Sequence, residues 1–173
     1  MPEQSDDDRG TDVELRERLA AALGVQRWVN EVAEAAPYAS MDALLKVAED
    51  AASPLSDAEI EEAVSHHPRI GEKPTGTGVS QSLSEGEQAG LDAAAEGTDA
   101  AIARGNHVYE ERFGRVFLIR AAGRTRAEIL EELQRRLKLD EEEERVEVGE
   151  QLTQIALLRL KTLFADEFGE ATP

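Results

Sequence analysis

The chain has 173 residues, of which 40% are hydrophobic, and a formal net charge of -18; this is enough for the core of one domain and short for two. The negative charge would repel nucleic acid and anionic membranes, so a small-molecule partner is favoured. The absence of cysteine excludes a disulfide framework, a thiolate nucleophile and a cysteine-bound metal, and with neither a membrane-length apolar run nor a secretion signal the protein is expected to be cytoplasmic.

Three helices are predicted in the first third of the chain. Residues 1–10 are polar, include three consecutive aspartates and have nothing to bury, so a disordered tail is expected there. Leucines at helical spacing predict a helix from Asp12 to a glycine stop, and a second helix is predicted around Trp28, ending before Pro37. Trp28 is assigned to the core, as most indoles are. The third helix is predicted over residues 41–52.

Two helix starts flank a loop in the middle of the chain. Residues 56–59 read Ser-Asp-Ala-Glu, a capping box that opens a helix. This helix must end near His67, because the following proline disfavours the helical conformation of the residue before it. Residues 71–82 are rich in glycine and are predicted to form a loop. A second Ser-x-x-Glu box at residues 84–87 then predicts a helix over about residues 85–104.

Further helices are predicted in the second half of the chain. Gly105 is expected to break the preceding helix, and a short helix is predicted over residues 106–112. The apolar run 116–119 is too short for a helix and has no strand to pair with, so an extended segment between helices is predicted. A capping box at residues 125–128 opens the next helix, and an acidic run opens the last one, over residues 140–164.

These elements together predict an all-α, single-domain bundle of seven to eight short helices with no sheet. The helical domain is predicted to occupy residues 11–166, between the tail at 1–10 and a C-terminal tail at 167–173. The three histidines lack the spacing of metal ligands on a helix, so no metal site is predicted.

Five different sequence motifs occur along the chain in a specific order. They read His67-Pro68-Arg69-Ile70-Gly71, Ser84-x-x-Glu87-Gln88, Asn106-x-x-Tyr109-x-x-Arg112-Phe113-Gly114, Val116-Phe117-Leu118-Ile119 and Arg159-Leu160. In their order and spacing, over roughly residues 14 to 164, they resemble the decarboxylases of 2-oxo-4-hydroxy-4-carboxy-5-ureidoimidazoline (OHCU). The sequence departs from many of these relatives at Arg115-Val116, after Phe113-Gly114, where an aromatic or aliphatic residue is more usual.

The resemblance implies a carboxy-lyase of uric acid degradation within purine metabolism. Such an enzyme decarboxylates OHCU to (S)-allantoin without a cofactor, and the sequence shows no cofactor fingerprint of its own. The substrate carries its own electron sink, so the protein needs only to orient the carboxylate, stabilise the developing anion and deliver a proton to one face. The family is all-helical and commonly a homodimer, and a functional link to a 5-hydroxyisourate hydrolase is expected.

The resemblance also assigns roles to individual residues. His67 is expected to be the general acid/base and Glu87 its catalytic partner, while Asn106 and Tyr109 brace the pocket. The residues expected to bind substrate are Pro68, Ser84, Glu85, Gly86, Glu87, Gln88, Phe117, Leu118, Ile119, Arg120, Ala121 and Arg159.

Other interpretations of these residues stay open on the sequence alone. His67 could cap its helix, and Glu87 serves a capping box as well as a site. Arg159 lies among leucines, where an unpaired guanidinium is costly, so it is either a carboxylate clamp or half of a structural ion pair. Two alternative functions also remain, namely an enzyme of the same scaffold acting on a different ureido or imidazole acid, and an inactive helical interaction module.

Overall fold

The computed structural model describes residues 6–66 and 96–168, and these ranges contain eight α-helices and no strand. The predicted all-α class is therefore confirmed. The helices are α1 (Asp6–Ala22), α2 (Gln26–Glu34), α3 (Met41–Ala51), α4 (Asp57–Val64), α5 (Glu96–Phe113), α6 (Arg126–Arg136), α7 (Glu141–Leu163) and α8 (Ala165–Phe168). The described helices form two compact units, and the single domain over residues 11–166 stays a prediction.

The first unit comprises the described residues 6–54 and 155–168. In it α1 packs on α2 and α2 on α3. Trp28 is completely buried, as predicted, and its indole N–H donates to the carbonyl of Ala48 at 2.9 Å. This bond satisfies the one polar group that burial of an indole removes from water.

The second unit comprises residues 55–66 and 96–154. Helices α5 and α6 pack together, and the ring of Tyr109 lies 4.7 Å from that of Phe113 and 5.2 Å from that of Phe117. Aromatic pairs at these separations add to the stability that burial alone provides. The buried cluster around them consists of Ile102, Tyr109, Phe113, Phe117, Ile119, Ala121, Ile129 and Leu133.

Local capping fixes where several helices start and stop. Ser56 and Glu59 form the predicted box at the start of α4, and Thr125 and Glu128 form the one before α6. Both boxes satisfy backbone N–H groups that have no partner inside the helix. After α5 the backbone turns through Gly114, whose φ of 69° lies in the left-handed region that glycine adopts without strain.

Three boundaries differ from the sequence prediction. Helix α1 begins at Asp6, inside the tail expected to be disordered. Helix α8 continues to Phe168, two residues beyond the predicted domain end. The predicted break at Gly105 is wrong, since α5 runs through it to Phe113.

Gly105 has a packing role instead of a terminating one. A Cβ atom built on it would lie 2.4 Å from Cδ2 of Leu133 on α6. The missing side chain therefore allows the two helices to approach closely. In the part of the chain that the structure describes, no helix is both long and apolar enough to cross a membrane.

Candidate active site

The segment from Phe117 to Ala121 connects α5 to α6 without being helix or strand itself. This agrees with the predicted extended segment. The side chains of Phe117, Leu118, Ile119 and Ala121 are buried, and that of Arg120 is partly exposed. A buried stretch outside regular structure must satisfy its peptide groups by other means, since an unpaired buried N–H or C=O is costly.

Arg136 of α6 supplies one of those partners. Its Nη1 donates to the carbonyl oxygen of Leu118 at 2.6 Å. The rest of its guanidinium pairs with Glu144 of α7: Nε lies 3.0 and 3.1 Å from the two carboxylate oxygens, and Nη2 forms a further short contact. Both side chains are completely buried. The guanidinium carbon also lies 4.7 Å from the centre of the Phe117 ring, a favourable cation–π distance.

Tyr109 completes this buried group. Its hydroxyl donates to Glu144, the same carboxylate that Arg136 binds. Burial, together with the hydrogen bond and the charge of Glu144, raises the pKa of Tyr109 well above its usual value. The hydroxyl therefore keeps its proton and acts as a donor to Glu144. The role of Tyr109 as a brace of the substrate pocket stays a prediction.

A second polar side chain holds the segment from α7. Oε1 of the buried Gln151 accepts from the backbone N–H of Arg120 at 2.8 Å. The carbonyl of Leu118 and the N–H of Arg120 are thus both hydrogen-bonded inside the protein. In an extended chain, residues two positions apart turn these groups to the same side. Within residues 6–66 and 96–168, no hydrogen bond engages the backbone of Ile119, which lies between them.

Arg115, the departure from the family pattern, has a structural partner. Its Nη1 lies 2.9 Å from Oε1 of Glu141 in the first turn of α7, and its side chain is almost fully buried. Burial lowers the pKa of Arg115, but the hydrogen bond with Glu141 and nearby charges outweigh this and raise it overall. Arg115 therefore stays charged and ties the end of α5 to α7.

Arg159 belongs to the other unit, where it is 3% exposed. Its Nη1 donates to the carbonyl of Ala21 at 3.1 Å. That carbonyl lies in the last turn of α1, where a cation complements the negative end of the helix dipole. This contact fixes the direction of the guanidinium and leaves open both the carboxylate clamp and the structural ion pair.

The other predicted site residues lie outside the described residues. They are His67, Pro68, Ser84, Glu85, Gly86, Glu87 and Gln88. Helix α4 does end at Val64, capped by Ser65, which confirms that the helix stops just before His67. The neighbouring His66 is exposed. Among the described residues, no group of three or more His, Cys, Asp or Glu side chains is arranged to hold a metal ion.

Sequence reasoning missed Arg136, Glu144 and Gln151. The signal for the charged pair was present, because both residues fall on apolar stripes. Arg136 follows Leu133 by three positions on the buried face of α6, and Glu144 precedes Val148 by four on that of α7. A charge at such a position must be paired. The acidic run around Glu144 had been attributed to the helix dipole alone.

Three comparisons with known proteins bear on this site. The family model described as OHCU decarboxylase matches residues 9–161. The uric acid degradation bifunctional protein of Bacillus sp. (strain TB-90) is 28% identical over 140 residues, which are 80% of this chain. The chain spans only 28% of the length of that relative.

Two solved structures share the fold. A crystal structure of an OHCU decarboxylase in the presence of (S)-allantoin matches with a TM-score of 0.73 at 25% identity, covering 87% of this chain and 99% of the other. A crystal structure of an (S)-allantoin synthase matches with a TM-score of 0.63 over 88% of this chain and half of the other. At 15% identity the second likeness shows the fold alone.

Proposed function

The chain belongs to the OHCU decarboxylase family, and from this premise we propose that it decarboxylates OHCU to (S)-allantoin in urate degradation. The observation that carries the proposal is the family match over residues 9–161, which spans every predicted site residue from His67 to Arg159. The structural likeness to an OHCU decarboxylase crystallised with (S)-allantoin supports the same reaction. The chain is thus a carboxy-lyase.

The reaction needs little covalent chemistry from the protein. The bond between the ring carbon and the carboxylate breaks, CO2 leaves, and the electron pair is delocalised into the imine and carbonyl of the substrate. A proton then adds to the adjacent carbon, which bears the ureido group, and the hydroxyl on the carbon that lost CO2 gives up its proton to become a carbonyl. Orientation of the substrate and stabilisation of the developing negative charge are the contributions that remain for the enzyme.

We assign the proton transfer to His67 and assign Glu87 as its partner. An imidazole with an ordinary pKa of about 6.5 exists in both protonation states near neutral pH, as a general acid/base requires. The observed end of α4 at Val64 supports this assignment, because the chain leaves the helix just before His67. Pro68 and the segment Ser84, Glu85, Gly86, Glu87 and Gln88 are proposed to line the same substrate site.

The backbone of Phe117 to Ala121 is proposed to bind the substrate ring. The hydrogen bonds inside the protein indicate which backbone groups of this segment are assigned to the substrate. Arg120 N–H is already bound to Gln151, and Leu118 C=O already accepts from Arg136. Within the described residues no hydrogen bond engages the N–H and C=O of Ile119, and we assign these groups to pair with the ureido or ring amides of the substrate.

Arg159 is proposed to bind the substrate carboxylate. Its guanidinium has five N–H donors in a planar fork, and Nη1 donates to the carbonyl of Ala21. A fixed fork matches the geometry of a carboxylate better than a flexible ammonium does.

The oligomeric state, the partner enzyme and the location of the protein are also proposed from the family. We propose a cytoplasmic homodimer that receives its substrate from a 5-hydroxyisourate hydrolase. The Bacillus relative supports a link to another step of the same pathway in general, because it is described as bifunctional in uric acid degradation while this chain matches 28% of it. Sedimentation of the purified protein tests the dimer, which a monomer at all accessible concentrations would contradict.

Freshly generated urate-oxidation intermediates provide the test of activity. Urate is oxidised and hydrolysed to OHCU in the cuvette, purified protein is added, and circular dichroism follows the chiral product. An immediate signal of (S)-allantoin is expected. Racemic allantoin at the spontaneous rate would contradict the proposal, and turnover of another member of a panel of ureido and imidazole acids would favour the alternative substrate class.

A further inference from the structure

We propose that Arg136, oriented by Glu144, is a positioning residue that holds the backbone of the segment Phe117–Ala121 in the conformation that binds substrate. The inference rests on the proposed function of that segment. Arg136 is completely buried, so it acts through the backbone that it binds and not through the reacting atoms.

The ion pair with Glu144 fixes the direction in which Arg136 donates to the backbone of the segment. Two of its nitrogens, Nε and Nη2, bind the carboxylate of Glu144, and the planar guanidinium then fixes the direction of the third, Nη1. Nη1 points at the carbonyl of Leu118 from 2.6 Å, while the guanidinium covers the ring of Phe117. A single side chain thus holds the carbonyl of one residue and the ring of its neighbour.

The burial of this ion pair is difficult to explain by stability alone. Moving two charges out of water carries a desolvation penalty that their mutual attraction can fail to recover, and apolar replacements of similar volume are often as stable. A hydrogen bond to a backbone carbonyl outside regular structure is something that an apolar replacement cannot make. The position of the pair beside Leu118 therefore indicates a role in holding this backbone.

Gln151 holds the same side of the segment. Its amide oxygen binds the N–H of Arg120, two residues beyond the carbonyl that Arg136 binds. With residues 118 and 120 fixed from one side, the peptide groups of Ile119 are turned to the opposite side. Loss of one holding bond frees the segment to rotate, and a misplacement of about 1 Å at a reacting group can lower a rate about 100-fold.

The decisive variant replaces the whole polar group by apolar residues of similar size: Tyr109→Phe, Arg136→Met and Glu144→Leu in one protein. The core stays filled and neither member of the ion pair is left buried alone, so the fold is expected to persist although the carbonyl of Leu118 loses its partner. The matched control is Arg135→Met, which removes a neighbouring arginine whose ion pairs with Glu132 and Glu147 are on the surface.

The expected result separates positioning from stability. The triple variant should unfold at a urea concentration close to that of the wild type while its kcat/KM for OHCU falls at least tenfold, mainly through a higher KM. The control should stay within twofold in both measurements. A folded triple variant with kcat/KM within twofold of the wild type would overturn the inference.

A second variant and a second readout make the test independent of any single outcome. Arg136→Lys keeps the charge beside Glu144 but cannot bind that carboxylate and Leu118 as a fork, so the same loss of kcat/KM is expected. It decides by the same criterion if the triple variant does not fold. Amide hydrogen exchange at residues 117–121 should be faster in either variant and unchanged in Arg135→Met.

This exchange measurement also distinguishes the two proposals. A wild-type protein that does not turn over OHCU refutes the proposed function, whereas exchange still reports whether Arg136 holds the segment. Unchanged exchange at residues 117–121 in a folded variant would refute the positioning role even in an active enzyme.

Discussion

Substitution of Gly105 by alanine is expected to destabilise the protein, although alanine is the better helix former. Gly105 lies inside α5, where the change alone would favour the folded state by about 0.5–1 kcal/mol. The new Cβ would lie 2.4 Å from Cδ2 and 3.1 Å from Cγ of Leu133, whereas carbon atoms pack best at about 3.5–4.0 Å. Leu133 is completely buried and has little room to move.

The net magnitude follows from these two opposing effects. Overpacking a filled core costs about 1–3 kcal/mol, so after the gain of about 0.5–1 kcal/mol in helix propensity Gly105→Ala should lower the free energy of unfolding by up to about 2.5 kcal/mol, with a central value of about 1 kcal/mol. In a Leu133→Ala background the clashing atoms are absent, and the same substitution should instead stabilise by about 0.5–1 kcal/mol. The sign of the effect is thus expected to reverse between the two backgrounds.

Urea unfolding followed by far-UV circular dichroism measures all four proteins of this cycle. Gly149→Ala is the matched control, because Gly149 is also inside a helix but its Cβ would meet only Cδ1 of Ile60 at an ordinary 3.9 Å. The control should stabilise by about 0.5–1 kcal/mol. Equal stabilisation by Gly105→Ala and Gly149→Ala, or an effect of Gly105→Ala that ignores Leu133, would refute the close-packing argument.

Three further predictions concern the charged and ionisable groups. Arg136→Met alone should cost about 3–5 kcal/mol in urea unfolding, because it leaves the carboxylate of Glu144 buried without its cation; a loss below about 1 kcal/mol would contradict this. Burial, with a smaller contribution from the charge of Glu167, raises the pKa of Tyr38 to about 12, and the pKa of Tyr109 is raised further. The protonated forms of both tyrosines stabilise the fold below about pH 10, and this contribution is lost as the pH rises through the pKa values of the folded protein. The absorbance of phenolate at about pH 11 should therefore be small in the folded protein and large in the protein unfolded by urea. Arg159→Lys should raise the KM for OHCU about tenfold through loss of the carboxylate fork, and an unchanged KM would favour the structural ion pair.

The features that the sequence predicted correctly are local ones. The capping boxes at residues 56–59 and 125–128, the glycine after α5 and the apolar run that follows it depend on residues within one turn of each other, and each was found where expected. The box predicted at residues 84–87 lies outside the described residues. The break at Gly105 was wrong for the opposite reason. A glycine that ends a helix and one that admits a neighbouring helix look alike in sequence, and only the position of Leu133 distinguishes them.

In the candidate site, too, the local features could be predicted from the sequence and the contacts between helices could not. The segment from Phe117 to Ala121 was identified as substrate-binding through the family motif, but its supporting partners come from α6 and α7. The positions of Arg136 and Glu144 on apolar stripes show that each must be paired, yet not which carbonyl their pairing serves. Gln151 gives no comparable signal, because a buried neutral amide differs little in pattern from a surface glutamine.

The role of His67 is tested most directly by the configuration of allantoin made by His67→Gln beside that made by His66→Gln. The two histidines are adjacent, His66 is exposed, and only His67 is proposed to deliver the proton. The wild type and His66→Gln should make (S)-allantoin at the catalysed rate, and His67→Gln should give racemic allantoin at the spontaneous rate. A His67→Gln protein that still makes (S)-allantoin at the wild-type rate would refute the role of His67 in proton transfer.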